Sequence, residues 1–192
     1  MVVLCAITPE LGLAPGDDVL VDLPEHWQTV AMLLGAWWSG AHIIVPTSTG
    51  ADDDAHVAIV SRDRLDGHTA PDELVVASLD PFALGLRDLP PGVLDFATSV
   101  RVHGDQFRPS PVSGPALADL TSDDVVAQSR AAAAAAGITA SSRVLQTRAW
   151  HTTDTIVENL LAPLVTGASL VAVVHADVDA IAARATAERA TV

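Results

Sequence analysis

The chain has 192 residues, 49% of them hydrophobic and 18% charged, enough apolar material for one globular core or two small lobes sharing it. Its formal net charge of −14 argues against nucleic acid or an anionic membrane surface as a partner, because a phosphate array would repel it. All ten basic residues are arginine, so no ammonium group is present for a Schiff base or for gripping a phosphate. The single cysteine, Cys5, excludes an intramolecular disulfide and a thiolate zinc site.

The N-terminus, MVVLCAITPELGL, has neither the basic region nor the long apolar stretch of a signal peptide. Apolar residues 2–11, interrupted by Pro9, read as the tail of a helix ending at Gly12. No apolar run approaches the roughly 18 residues of a membrane span, so a cytoplasmic chain is expected. Asp18 to Leu23 is β-branched and aliphatic without alternation, as in a parallel strand buried on both faces. Pro24 and Glu25 then open a helix, with Trp27, Val30, Ala31, Leu34, Trp37 and Trp38 on a broad apolar face. The three tryptophans read as core, although one of the adjacent pair Trp37 and Trp38 must point off the main stripe. Gly40 stops the helix and His42 to Val45 is the next strand.

Residues 47–56 form a polar loop, and Val57 to Val60 and Leu74 to Ala77 are short strands. Asp80-Pro81 opens a short helix through Leu86, broken by RDLPPG, and residues 93–102 hold a further helix or strand. From Gly104 to Pro115 the Pro, Ser and Gly content predicts a loop. Thr121 or Ser122 then caps a long helix that ends at Gly137. Arg143 to Thr147 is a strand, Asp154 to Val165 a helix, Ser169 to Val174 a strand, and Asp177 to about Glu188 a last helix. Thr191-Val192 reads as the start of another strand.

Strands alternating with helices predict an α/β layered fold with a mostly parallel sheet flanked by helices. Residues 1–192 read as a single domain, or as two lobes of about 1–103 and 116–192 joined by the Pro/Ser/Gly loop. Two strand–helix–strand units, 12–46 and 137–174, echo each other. Gly12 and Gly137, or Val19-Leu20 and Val144-Leu145, are 125 residues apart, whereas Gly40-Ala41 and Gly167-Ala168 are 127 apart, as if the second turn had gained two residues.

The stretch GDDVLVDLPEHWQTVAMLLGAWWSGAHIIVP resembles the early part of adenylate-forming enzymes, the superfamily of acyl-CoA synthetases, luciferases and peptide-synthetase adenylation domains. That superfamily shows G-D-x-V, a strand ending in L-P, a helix, and G-A-x-x-V-P. The later stretch resembles the portion after the superfamily's phosphate loop, with Val144-Leu145, Trp150-His151 and Gly167-Ala168 as the matching residues. The most specific match is a family of short proteins from high-GC bacteria that resemble only the N-terminal part of AMP-binding enzymes.

The resemblance implies a Thr/Ser/Gly-rich phosphate loop with a lysine just before the long helix, but the corresponding RPSPVSGPALADLTSDD has none. Only Ser110, Ser113 and Gly114 could serve in it, three prolines remove or stiffen backbone donors, and Asp119, Asp123 and Asp124 would repel a triphosphate. The resembled enzymes also carry an adenine-binding segment, a ribose-binding Asp and a C-terminal lid with a catalytic Lys, which lie beyond this stretch. The expectation is therefore a truncated, non-catalytic homologue acting as a binding or interaction module, with no catalytic residue, metal or cofactor. ATP or AMP is left as a doubtful alternative. The competing expectation is part of a split ligase, or an AMP- or acyl-binding enzyme completed by a partner chain. Ligand-contacting candidates are Ser110, Ser113, Gly114, Trp150 and His151, and the partners left open are a second copy, another protein, or an acyl or nucleotide ligand.

Other constellations carry less. His151 and Asp154 with Ser113 or Ser129 could be read as base, carboxylate and nucleophile, but no G-x-S-x-G elbow accompanies them. Asp52, Asp53 and Asp54 with His56 could offer metal ligands, yet a solvated loop explains them as well. Cys5 reads as a small buried apolar residue.

Overall fold

A computed structural model describes residues 10–46, 55–68, 71–104, 108–109 and 113–192, in two compact units, 1–121 and 122–192. Cys5, the apolar run before Pro9, and Asp52 to Asp54 lie outside the described residues.

In the first unit a seven-stranded sheet has the order β5-β4-β3-β1-β2-β6-β7. Its strands are β1 (Asp18–Asp22), β2 (His42–Ile44), β3 (Val57–Ser61), β4 (Glu73–Ala77), β5 (Val93–Asp95), β6 (Pro115–Leu117) and β7 (Leu120–Thr121). Every pairing is parallel except β6 with β7. The central strands carry the core: Val19, Leu20, residues 57–60, Val75 and Val76 are fully buried, as expected of parallel strands covered on both faces. Residues 93–102 contain both elements left open by the sequence, a strand and then a short helix, α2 (Phe96–Ser99).

Helix α1 (Trp27–Ser39) starts two residues later than Pro24-Glu25 suggests, because His26 is its N-cap. His26 holds an extended φ of −147°, and its Nδ1 accepts the Gln28 N–H at 3.2 Å. The helix ends on Gly40 at φ +86°, where the Gly40 N–H reaches the Trp37 carbonyl and the Ala41 N–H that of Ala36. Trp27 is 52% exposed, which corrects the expectation that it is core, while Trp38, 55% exposed, is the one of the adjacent pair that points off the main stripe. The helix's polar residues Gln28, Thr29 and Ser39 are themselves buried, so polarity and spacing do not name the buried face. Gln28, Ala31, Met32, Leu33 and Ala36 take it.

The second unit contains α3 (Ser122–Ala135), a two-stranded parallel sheet of β8 (Arg143–Gln146) and β9 (Ser169–Ala172), and α6 (Val178–Glu188). Between the strands one continuous helical stretch consists of α4 (Thr153–Ile156), a π-turn (Val157–Leu161) and α5 (Ala162–Thr166). Thr191 N–H donates to the Arg143 carbonyl and Leu145 N–H to the Val192 carbonyl, so the last residues line the free edge of β8.

The two strand–helix–strand units pair their strands in equivalent register. Asp18, Val19 and Leu20 face His42, Ile43 and Ile44, and their counterparts Arg143, Val144 and Leu145 face Ser169, Leu170 and Val171. The His42 N–H to Asp17 carbonyl bond, 2.9 Å, has its equivalent in Ser169 N–H to Ser142 carbonyl, 3.1 Å. The offsets of 125 and 127 are thus the offsets of the pairing itself. The two added residues are not both in a turn, which corrects that expectation. The N-caps His26 and Thr152 are 126 apart, so one residue enters the strand-to-helix connection. The other enters the helix, where the Ala162 N–H reaches back five residues to Val157 and widens one turn.

The His26 cap requires an unprotonated Nδ1. Burial lowers the pKa of this imidazole, against a smaller raising influence of Asp80. The folded value therefore lies below the unfolded one of about 6.5. The cap contributes stability above that pH, and the contribution is lost as pH falls through the folded value. Asn caps without titrating, so the Tm of wild type should fall more than that of His26→Asn between about pH 7.5 and about pH 5.5. Equal falls would contradict the assignment.

Candidate functional site

The residues expected at a ligand site divide between the units. Ser110 lies outside the described residues, and Ser113 and Gly114 are exposed at the entry to β6. That strand is held by three side chains which sequence reading did not single out as a set. Trp37 Nε1–H donates to the Ala116 carbonyl at 2.8 Å. The half-buried His42 ring contacts the Ala118 carbonyl through Nε2 at 2.8 Å and Asp18 Oδ1 through Nδ1 at 2.7 Å. Both neighbours are acceptors, so the imidazolium form satisfies both contacts at once. Asp18, His42 and the β6–β7 turn are thereby fastened across three strands. Asp119 is exposed in that turn, where it would face an approaching anion with like charge.

At the carboxyl ends of β1 and β3 the strand order reverses, which is where open α/β sheets take ligands. Asp22 occupies this position: one carboxylate oxygen meets Arg64 Nη1 and the other meets His68 Nε2 at 3.0 Å. His68 is buried and Asp22 nearly so. Beside them the Asp63 carboxyl is held below its usual pKa, chiefly by the Ser61 hydroxyl and also by backbone hydrogen bonding. Asp22, Arg64 and His68 thus occupy the reversal point with a cluster of opposite charges and hydrogen bonds.

In the second unit Trp150 is buried and His151 is exposed. His151 makes no hydrogen bond or ion pair within the described residues, and Asp154 is exposed in the first turn of α4. Thr152 and Thr155 form a reciprocal capping box that starts the helix directly after the pair. The preceding loop is pinned from the π-turn. Buried Asn159 accepts from Gln146 Nε2 at 3.1 Å and donates to the Ala149 carbonyl at 3.3 Å. Gln146 Oε1 in turn accepts the Thr147 and Arg148 N–H groups. The inserted residue thus widens the helix at the turn that fixes residues 146–149, just before Trp150-His151. The signal in the sequence was the extra residue, without its location.

The base–nucleophile reading finds no support in Ser129, which is buried with its hydroxyl donating to the Val125 carbonyl at 2.7 Å. His56 bonds Asp72 Oδ2 and the Leu11 carbonyl, and among the described residues no group of three or more His, Cys, Asp or Glu could hold a metal ion. No helix among them is long and apolar enough to cross a membrane.

No protein-family model matches the chain. It is 42% identical over 189 residues to the TIGR03089 family protein of Mycobacterium tuberculosis (strain ATCC 25618 / H37Rv), covering 95% of this chain and 76% of that protein. Among solved structures it is similar to a benzoate CoA ligase from Burkholderia xenovorans LB400, 17% identical with a TM-score of 0.73 over 97% of this chain and 41% of that one. It is also similar to an acyl-CoA synthetase of Brucella canis, 16% identical with a TM-score of 0.72 over 95% and 38%. A third likeness is to the N-terminal domain of FACL13 from Mycobacterium tuberculosis, 17% identical with a TM-score of 0.64 over 97% and 51%. The chain therefore spans only about two-fifths to one-half of these ligase structures. At such identities the likeness establishes the fold, that of the N-terminal domain of adenylate-forming enzymes.

Asn159→Ala leaves the Gln146 amide and the Ala149 carbonyl short of a partner. It should lower unfolding stability by about 1–3 kcal/mol in denaturant titration. A change within about 0.5 kcal/mol would show that the clamp on the Trp150-His151 loop carries no weight.

Proposed function

The chain belongs to the TIGR03089 family, and from that membership we propose that it is a non-catalytic homologue of the adenylate-forming N-terminal domain, acting as a binding or interaction module. The observation that supports this most is the stretch between the two strand–helix–strand units. RPSPVSGPALADLTSDD contains no lysine and three prolines, and Asp119, Asp123 and Asp124 follow Ser110 and Ser113. Backbone donors and a lysine cradle the triphosphate in the resembled loop, whereas this stretch loses three backbone donors to proline and has no lysine. The scaffold on either side keeps its pairing and its glycine caps, so loss of the chemistry did not require loss of the fold.

A second reading, a ligase split between polypeptides, draws on one feature. His151 stands exposed after a clamped loop, in the position where the resemblance places an aromatic-His pair. An acyl or nucleotide ligand supplied with a partner chain would meet that imidazole. The partner would have to bring the lysine and further phosphate-binding groups.

Pyrophosphate exchange separates the two. The isolated chain, given ATP, labelled pyrophosphate and benzoate or straight-chain fatty acids, should show no exchange above a protein-free control. Exchange by the isolated chain would overturn the non-catalytic reading. Exchange only after addition of a second polypeptide would select the split ligase.

A further inference from the structure

The turn between β6 and β7 is a strained one. Only Ala118 and Asp119 join Leu117 to Leu120, and Ala118 has φ of +49°. Two-residue hairpin turns normally give such a left-handed position to glycine, because a Cβ there is crowded by the backbone. The turn therefore persists only while contacts from outside hold it.

Three contacts do so. The Ala118 N–H donates to the Ile43 carbonyl at 3.1 Å, and Trp37 Nε1–H donates to the Ala116 carbonyl at 2.8 Å. The third comes from His42, whose Nε2 lies 2.8 Å from the Ala118 carbonyl while its Nδ1 lies 2.7 Å from Asp18 Oδ1. The ring is thus wedged between two oxygens that only accept. An imidazolium has two N–H donors and serves both. A neutral imidazole has one, and turns a nitrogen lone pair toward whichever oxygen it does not serve. A hydrogen bond to a carboxylate is the stronger of the two, so the single proton stays on Nδ1 and the Ala118 carbonyl loses its donor.

The ionisable groups on the surrounding elements do not replace that donor. Asp18 is already paired with the ring, and the Asp17 carboxylate accepts the Ala14 N–H at 2.7 Å. Asp119 is exposed in the turn itself. His56, just before β3, aims its ring at Asp72 Oδ2 and the Leu11 carbonyl, at 3.1 and 3.2 Å. No arginine lies on β1, α1, β2, β6 or β7, and α1 carries no charged residue at all.

We propose that His42 is a proton-operated clasp on the β6–β7 turn, which is closed while the ring carries two protons and opens locally when it carries one. Proton binding and turn closure are linked, so each favours the other. Histidine ordinarily changes charge between about pH 5 and about pH 8, which is where the clasp would act. The turn follows Ser113 and Gly114 within a few residues, so the clasp sets the freedom of the stretch that stands where the resembled enzymes carry their phosphate loop. It operates whether or not the chain binds a nucleotide, and does not rest on the function proposed above.

Nuclear magnetic resonance of the whole chain tests it with two readouts. Long-range 1H–15N correlation counts the protons on the His42 ring. Amide exchange, corrected for its intrinsic pH dependence, gives the protection of Ala118 relative to Val76 in the buried strand β4, a ratio that removes changes in global stability. From about pH 5.5 to about pH 8 the wild-type ring should pass from two protons to one on Nδ1, and the ratio should fall roughly tenfold. In Asp18→Asn the side-chain amide can donate to a neutral Nδ1, leaving Nε2–H on the Ala118 carbonyl, so the ratio should stay within about twofold over the same range. A wild-type ratio that does not change with pH would overturn the proposal. So would a ring that carries one proton at the acid end while Ala118 is protected, or a fall in Asp18→Asn equal to that of wild type. If Asp18→Asn fails to fold, the two wild-type readouts decide alone.

Discussion

Two left-handed glycines set the geometry on which both units depend. Gly40 and Gly167, at φ +86° and +80°, end their helices, and the alanine after each is buried as the chain turns back into a strand. A Cβ at either position would strain the reversal. The returning strand must then lie parallel to the one that preceded the helix, and its first N–H must find a carbonyl just before that strand. His42 with Asp17 and Ser169 with Ser142 are that bond in the two copies. The same closure fixes the register of β1 with β2 and of β8 with β9.

Against this common frame the differences between the copies are local. The first unit closes its strand-order reversal with Asp22, Arg64 and His68, and ties β6 to the sheet through Trp37 and His42. The second accommodates an added helical residue as a π-turn, which puts Asn159 in reach of both Gln146 and Ala149. An insertion that would have shifted every later side chain around the helix is absorbed in one turn, so Gly167 still caps it. The outcome is a fixed approach to Trp150-His151, with His151 making no hydrogen bond or ion pair among the described residues.

The sequence made the order of elements, the parallel pairing and the glycine stops readable, because each rests on local chemistry: aliphatic runs without alternation, Gly-Ala after an apolar helix, Asp or Thr before one. Residues 80–86, expected as a short helix because Pro81 and the Leu/Ala content favour one locally, form a loop. Its true conformation is imposed by Gln28, Arg62 and Arg101, groups 52, 25 and 18 residues from their acceptors. The exposure of Trp27 and Trp38 could not be read from a helix whose polar residues Gln28, Thr29 and Ser39 are the buried ones. Nor could the His42–Asp18 and His68–Asp22 contacts, which join residues 24 and 46 apart. The candidate site was legible mainly as a deficit, since a missing lysine is visible in the sequence and a clamp between distant side chains is not.

The central claim is that this scaffold retains an adenylate-forming fold while lacking the means to hold nucleotide phosphates. Isothermal titration of the chain with Mg-ATP, and separately with AMP, measures this most directly. The account predicts no saturable heat with either nucleotide. Saturable binding of ATP at micromolar concentration, abolished by substitutions at Ser113 and Gly114, would contradict it.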